Sequence, residues 1–117
     1  MSQLAAPRTP STDVPRFQVD VHPERETVRV APAGELDLAT RRELEAELAQ
    51  LRDSGFRQVV LDLRRLTFMD SSGVALILAE DRCARSNGHD FSLISGPPQI
   101  QRVLEITGVD GYLRIDA

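Results

Sequence analysis

Ser71 and Ser72 stand between Asp70 and Gly73, directly before the apolar run Val74–Ala79. A serine in such a place can attack a carbonyl, cap a helix or accept a phosphoryl group. Attack needs a base within hydrogen-bond reach. The two histidines are His22, in the polar segment His22–Glu26, and His89, in a loop beyond the apolar run. Neither belongs to a Gly-x-Ser-x-Gly elbow. Capping needs only a local side-chain oxygen, and Asp70 or Ser72 can supply it to the unpaired amides of a following helix. Gly73 then permits close backbone approach. Phosphorylation is compatible with capping. A phosphate there meets the positive end of the helix dipole and adds about −1.5 to −2 charges beside Asp70.

Other chemistries lack their residues. A receiver-type phospho-aspartate at Asp70 needs an acidic Mg²⁺ cluster and a lysine, yet all 14 basic residues are arginine. The same absence removes Schiff-base chemistry and a phosphate-loop lysine, and no Gly-x-Gly-x-x-Gly string occurs. Cys83 is the lone cysteine, so neither a disulfide framework nor a cysteine metal cluster is expected. It reads as a small packing residue on a helix. No metal, no cofactor and no catalysis are expected. The formal net charge of −4 argues against direct nucleic-acid binding, and four Phe, one Tyr and no Trp argue against base stacking. The longest apolar run, Val74–Ala79, is too short to span a membrane. The first dozen residues lack the regions of a signal peptide, so a cytoplasmic protein is expected.

The chain has 117 residues, enough for one domain. Residues 1–16, with Pro7, Pro10 and Pro15, read as a flexible leader, and 17–117 as the folded domain. Phe17–Val21 and Thr27–Ala31 alternate apolar and polar residues, which predicts a hairpin with a loop longer than two residues. Pro32 is expected at a strand end or on an edge. Gly34-Glu-Leu-Asp37 precedes a helix from about Ala39 to Arg52, with Leu44, Leu48 and Leu51 on one face. Thr40 and Glu43 fit a capping box, with Asp37 as a competing cap.

Val59–Leu63 is a strand, and a helix between strands implies parallel pairing. A second helix is expected from about Ser72 to Ser86, ended by Asn87-Gly88. Its apolar start must be packed on both sides or await a partner. Phe91–Ile94 is a strand, Pro97-Pro98 opens a third helix, Gly108 closes it, and Tyr112–Ile115 is the last strand. The order β-β-α-β-α-β-α-β describes a single α/β domain, a small mixed sheet with helices packed on it.

The strings Phe68-Met-Asp-Ser-Ser-Gly-Val74, after a Leu-Asp-Leu strand, and Gly34-Glu-Leu-Asp37 resemble the STAS domain family. Within it, the chain is most similar to the bacterial anti-sigma factor antagonists, over Phe17 to about Ala117. The resemblance implies a STAS-like fold and a partner, an anti-sigma factor that is also a serine kinase of the GHKL type. The unphosphorylated antagonist holds that kinase and so frees a sigma factor for transcription. ATP-dependent phosphorylation releases it, and a metal-dependent serine phosphatase resets it. By the family pattern the acceptor maps onto Ser71, while Ser72 occupies the neighbouring position. Glu35, Asp37, Asp70, Ser72 and Gly73 map onto the partner-binding surface. Such a protein would be a monomer or homodimer. The alternative is a STAS scaffold in a stressosome-like signalling assembly or a transport complex, for which assembly size is the discriminating measurement.

Overall fold

The computed structural model describes residues 16–116. The expected leader, 1–16, lies outside the described residues apart from Arg16, as does Ala117. The elements are β1 (Gln18–Glu24), β2 (Thr27–Leu36), α1 (Arg41–Asp53), β3 (Gln58–Asp62), β4 (Leu66–Met69), α2 (Ser71–Asn87), β5 (Asp90–Ile94), α3 (Pro98–Ile106) and β6 (Ile115–Asp116).

The sheet runs β1-β2-β3-β5-β6, with β4 added on β2. β1 and β2 are antiparallel, and every other pairing is parallel, as helical crossovers require. Val28 and Val30 of β2, Val59 and Leu61 of β3, and Phe91 and Leu93 of β5 are buried at alternate positions. Against them pack Leu44, Leu48 and Leu51 of α1, Leu76 and Ile77 of α2, and Ile100 and Leu104 of α3. The helices touch in chain order, α1 to α2 to α3. The crowded apolar start of α2 is thereby resolved. Val74, Leu76 and Ile77 are buried between neighbours, and only the small Ala75 and Ala79 are left exposed.

The strands depart from expectation in four places. The hairpin is tight: Glu24 pairs with Thr27, leaving only Arg25 and Glu26 in the turn, and Arg25 takes φ 59°. His22 therefore lies in β1, opposite Arg29, and not in the turn. β2 continues through Pro32 to Leu36, since Pro32 falls where β2 has left β3 and not yet met β4. It needs to satisfy a partner on one side only, β1, where it faces Val19. Residues 66–69 form a strand that the alternation pattern does not announce. The last strand is shorter and later than Tyr112–Ile115 suggested.

Candidate functional site

The change of partner along β2 builds the site. Its first half pairs with β3, Thr27 to Val30 against Gln58 to Leu61. Its second half pairs with β4, Glu35 against Phe68 and Leu36 against Met69, after a register shift at Gly34 and Glu35. Gly34 has φ +106°, a conformation few other residues adopt, and a Cβ there would press on the Phe17 backbone at 3.3 Å. Two parallel strands end side by side, so the loop after β2 and the turn from β4 into α2 share one edge.

Asp70 caps α2. Its Oδ1 accepts from the Ser72 amide at 2.9 Å and from the Gly73 amide at 3.4 Å. Its own amide donates to the Leu36 carbonyl at 3.3 Å. Ser71 is the first residue of α2 and is exposed, whereas Ser72 is half-buried. Gly73 is buried against β2 and β4: a Cβ would lie 2.5 Å from Met69 Cγ and 3.1 Å from Leu36 Cγ. The sequence-derived residues Asp70, Ser71, Ser72 and Gly73 thus share one helix start.

Glu35 and Asp37 come from the facing loop. Glu35 is exposed at the end of β2. Asp37 Oδ1 accepts from the Ala39 amide at 3.0 Å and the Thr40 amide at 3.1 Å. The Thr40 hydroxyl donates to the Glu35 carbonyl at 2.6 Å and accepts from the Asp37 amide at 3.0 Å. The expected Thr40–Glu43 capping box is not formed, because the Thr40 hydroxyl is spent closing this loop and Asp37 takes the amides instead. Helix α1 begins at Arg41, two residues later than expected.

Both histidines lie at the other end of the sheet. His22 is beside the start of β2, and His89 follows the C-terminus of α2, about 25 Å of helix away from Ser71. No general base of that kind faces Ser71. Among the described residues no three His, Cys, Asp or Glu side chains gather as a metal site, and no helix is long and apolar enough to cross a membrane.

Asp62 and Leu38, which the sequence does not single out, also flank this edge. Asp62, at the end of β3, is buried and receives Arg64 through Nε at 2.9 Å and Nη2 at 2.8 Å, and Arg29 at 3.0 Å. The Arg64 guanidinium holds its carboxyl below the usual range; burial opposes this, and the Arg64 amide and Arg29 add to it. Arg65 in the same loop pairs with Asp20, so neither arginine of the turn is free. Leu38 and Phe68 are exposed apolar side chains, 74% and 46% accessible, on the two segments that meet at Ser71.

Residues 17–115 match the family described as Mlab, STAS domain. The chain belongs to the STAS domain family. A curated relative, the anti-sigma-B factor antagonist of Staphylococcus aureus strain NCTC 8325, is 30% identical over 87 residues, covering 74% of this chain and 81% of that protein. Among solved STAS structures, the anti-sigma factor antagonist SpoIIAA in its unphosphorylated form is similar with a TM-score of 0.71 at 27% identity, covering 87% of this chain and 89% of that one. The Bacillus cell fate determinant SpoIIAA in the phosphorylated form is similar with a TM-score of 0.65 at 26% identity, covering 87% and 92%. The mixed sheet and three helices of this STAS domain agree with that fold.

Proposed function

We propose that this STAS domain is an anti-sigma factor antagonist switched at Ser71. The observation that carries the reading is the exposed Ser71 on the first turn of α2, beside a rigid acidic loop, in a chain related to named antagonists. Exposure favours Ser71 over Ser72, whose amide is already held by Asp70 and whose side chain is half-buried. The partner is an anti-sigma factor serine kinase of the GHKL type. The chain itself does no catalysis and acts as the kinase's substrate and captor.

Transfer would break the bond between the γ-phosphorus of ATP and its bridging oxygen and form one from Ser71 Oγ. The hydroxyl proton passes to a base on the kinase, and ADP remains there. The new phosphoserine would carry its charge into the interface beside Asp70, where it repels any fixed carboxylate nearby. Two like charges at about 4 Å cost roughly 4 kcal/mol per unit pair at an effective dielectric near 20. That is on the order of a thousandfold in affinity. Release therefore needs no unfolding of the domain, and a metal-dependent serine phosphatase would restore the binding form.

The test is incubation of the full chain with ATP and the GHKL kinases of its own organism, followed by intact and peptide mass spectrometry. One phosphate on Ser71, absent from Ser71→Ala and abolishing co-elution with one kinase, is the expected result. Phosphate on Ser72 alone, or none with any kinase, would overturn the reading.

A further inference from the structure

Four large apolar side chains are conspicuously exposed among the described residues: Leu38, Phe68, Ile106 and Tyr112. Isolated exposed apolar residues are ordinary on a protein surface. Their distribution here is not uniform. Tyr112 receives the Arg85 guanidinium on its carbonyl in the last turn of α2, and Ile106 ends α3, so both lie at the end of the domain away from Ser71. Leu38 and Phe68 lie at the Ser71 end.

Each of these two is held in place by its surroundings. Phe68 is in β4, laterally paired with Glu35, and three residues before Ser71. Leu38 sits at the tip of a loop only four residues long between β2 and α1 (numbers 37–40), and hydrogen bonds close that loop on both sides of it. An exposed leucine on a mobile loop would lose much of its contact energy to ordering when a partner bound. A leucine on a loop already closed by Asp37 and Thr40 does not. The rim is acidic, with Glu35, Asp37 and Glu43 against Arg42, while Arg41 is engaged by Glu45 at 3.1 Å.

We infer that Leu38 and Phe68 are the anchors by which this chain grips the serine kinase, seated in an apolar cleft with cationic side chains around its edge. The inference rests on the reading given under Proposed function. It divides the surface into two tasks. The apolar pair supplies affinity in either phosphorylation state, and Ser71 supplies the switch. The acidic rim steers the encounter, an effect that salt weakens.

The probe is the kinase that places one phosphate on Ser71, used with ADP and the full chain in a calorimetric titration. Leu38→Ser and Phe68→Ser are each expected to weaken binding about tenfold or more, as loss of a central anchor does. Ile106→Ser, at the far end, is expected to bind as wild type. In phosphorylation kinetics the two anchor variants raise KM and leave kcat unchanged. Thermal unfolding of each variant serves as the control for folding, and little change is expected at exposed positions. Binding of Leu38→Ser and Phe68→Ser within about twofold of wild type, while Ser71→Glu loses binding, overturns the anchors and leaves the switch standing. Unweakened binding of Ser71→Glu, with the anchor variants weak, overturns the switch and leaves the anchors. If no kinase modifies Ser71, both fall together.

Discussion

The amide of Asp70 donates to the carbonyl of Leu36 at 3.3 Å, tying the end of β2 to the cap of α2. Asp70 therefore holds two things at once: through its backbone the facing strand, and through its carboxylate the first amides of the helix that carries Ser71.

The cap can be separated from the charge. Asp70→Ala is expected to cost about 1 kcal/mol of stability, the usual loss when an N-cap acceptor is removed. Asp70→Asn keeps an oxygen for the Ser72 and Gly73 amides and should unfold close to wild type in urea. An equal loss in both variants would show that the charge, and not the acceptor, stabilises α2.

Gly73 is expected to reject even alanine. Helix propensity favours alanine by about 1 kcal/mol. The new Cβ would nevertheless sit 2.5 Å from Met69 Cγ inside the junction of β2, β4 and α2. Overpacking of this kind costs about 1–3 kcal/mol. A lower urea midpoint for Gly73→Ala at unchanged m-value is the expected outcome, and a higher midpoint would contradict the packing.

Thr40 is expected to matter through its hydroxyl. Thr40→Val keeps the shape but loses the bonds to the Glu35 carbonyl and the Asp37 amide, at a cost of about 1 kcal/mol. Thr40→Ser keeps them. Hydrogen exchange at the Asp37 amide should accelerate in the valine variant and not in the serine variant.

Two carboxyls should shape the acid response with opposite sign. Arg64 holds Asp62 below the ordinary aspartate value of 3.8, so its stabilisation is present above pH 3.8 and is lost as pH falls through the lowered value. Burial raises Glu80 above 4.5 against the pull of Arg52, which it meets at 2.6 Å. The folded protein thus holds the Glu80 proton more tightly than the unfolded chain does. That stabilisation is complete below pH 4.5 and is lost as pH rises through the raised value. In a series of urea midpoints against pH, Asp62→Asn should flatten the loss below 3.8. Glu80→Gln should flatten the gain that wild type shows on acidification towards 4.5.

Much of this was legible from residue types. The leucine spacing of α1, the Gly88 cap with φ 71°, the Pro98 start of α3 and the Asp70 cap all follow from local chemistry, and each is present. What sequence did not announce depends on contacts between distant segments. Residues 66–69 are buried at both ends and exposed in the middle, because the register shift at Gly34 and Glu35 breaks the period-two alternation expected of a strand. Asp62 reads as one polar residue in an apolar run, and its burial arises only when Arg29 and Arg64 close over it. Thr40 could as well have capped α1; the approach of the Glu35 carbonyl decides the matter.

The switch of β2 from β3 to β4 has a consequence for the protein in a growing cell. The loop after β2 and the start of α2 share one edge only once the second half of β2 has paired with β4, so a nascent or locally unfolded chain would lack the complete edge proposed above for the partner. A partner that needs both segments would respond to the number of finished molecules, not to the number synthesised. For an antagonist of the kind proposed, the regulatory dose would then be set jointly by expression and folding. A core substitution costing 1–2 kcal/mol would lower that dose by the same route through which such losses lower protein abundance several-fold.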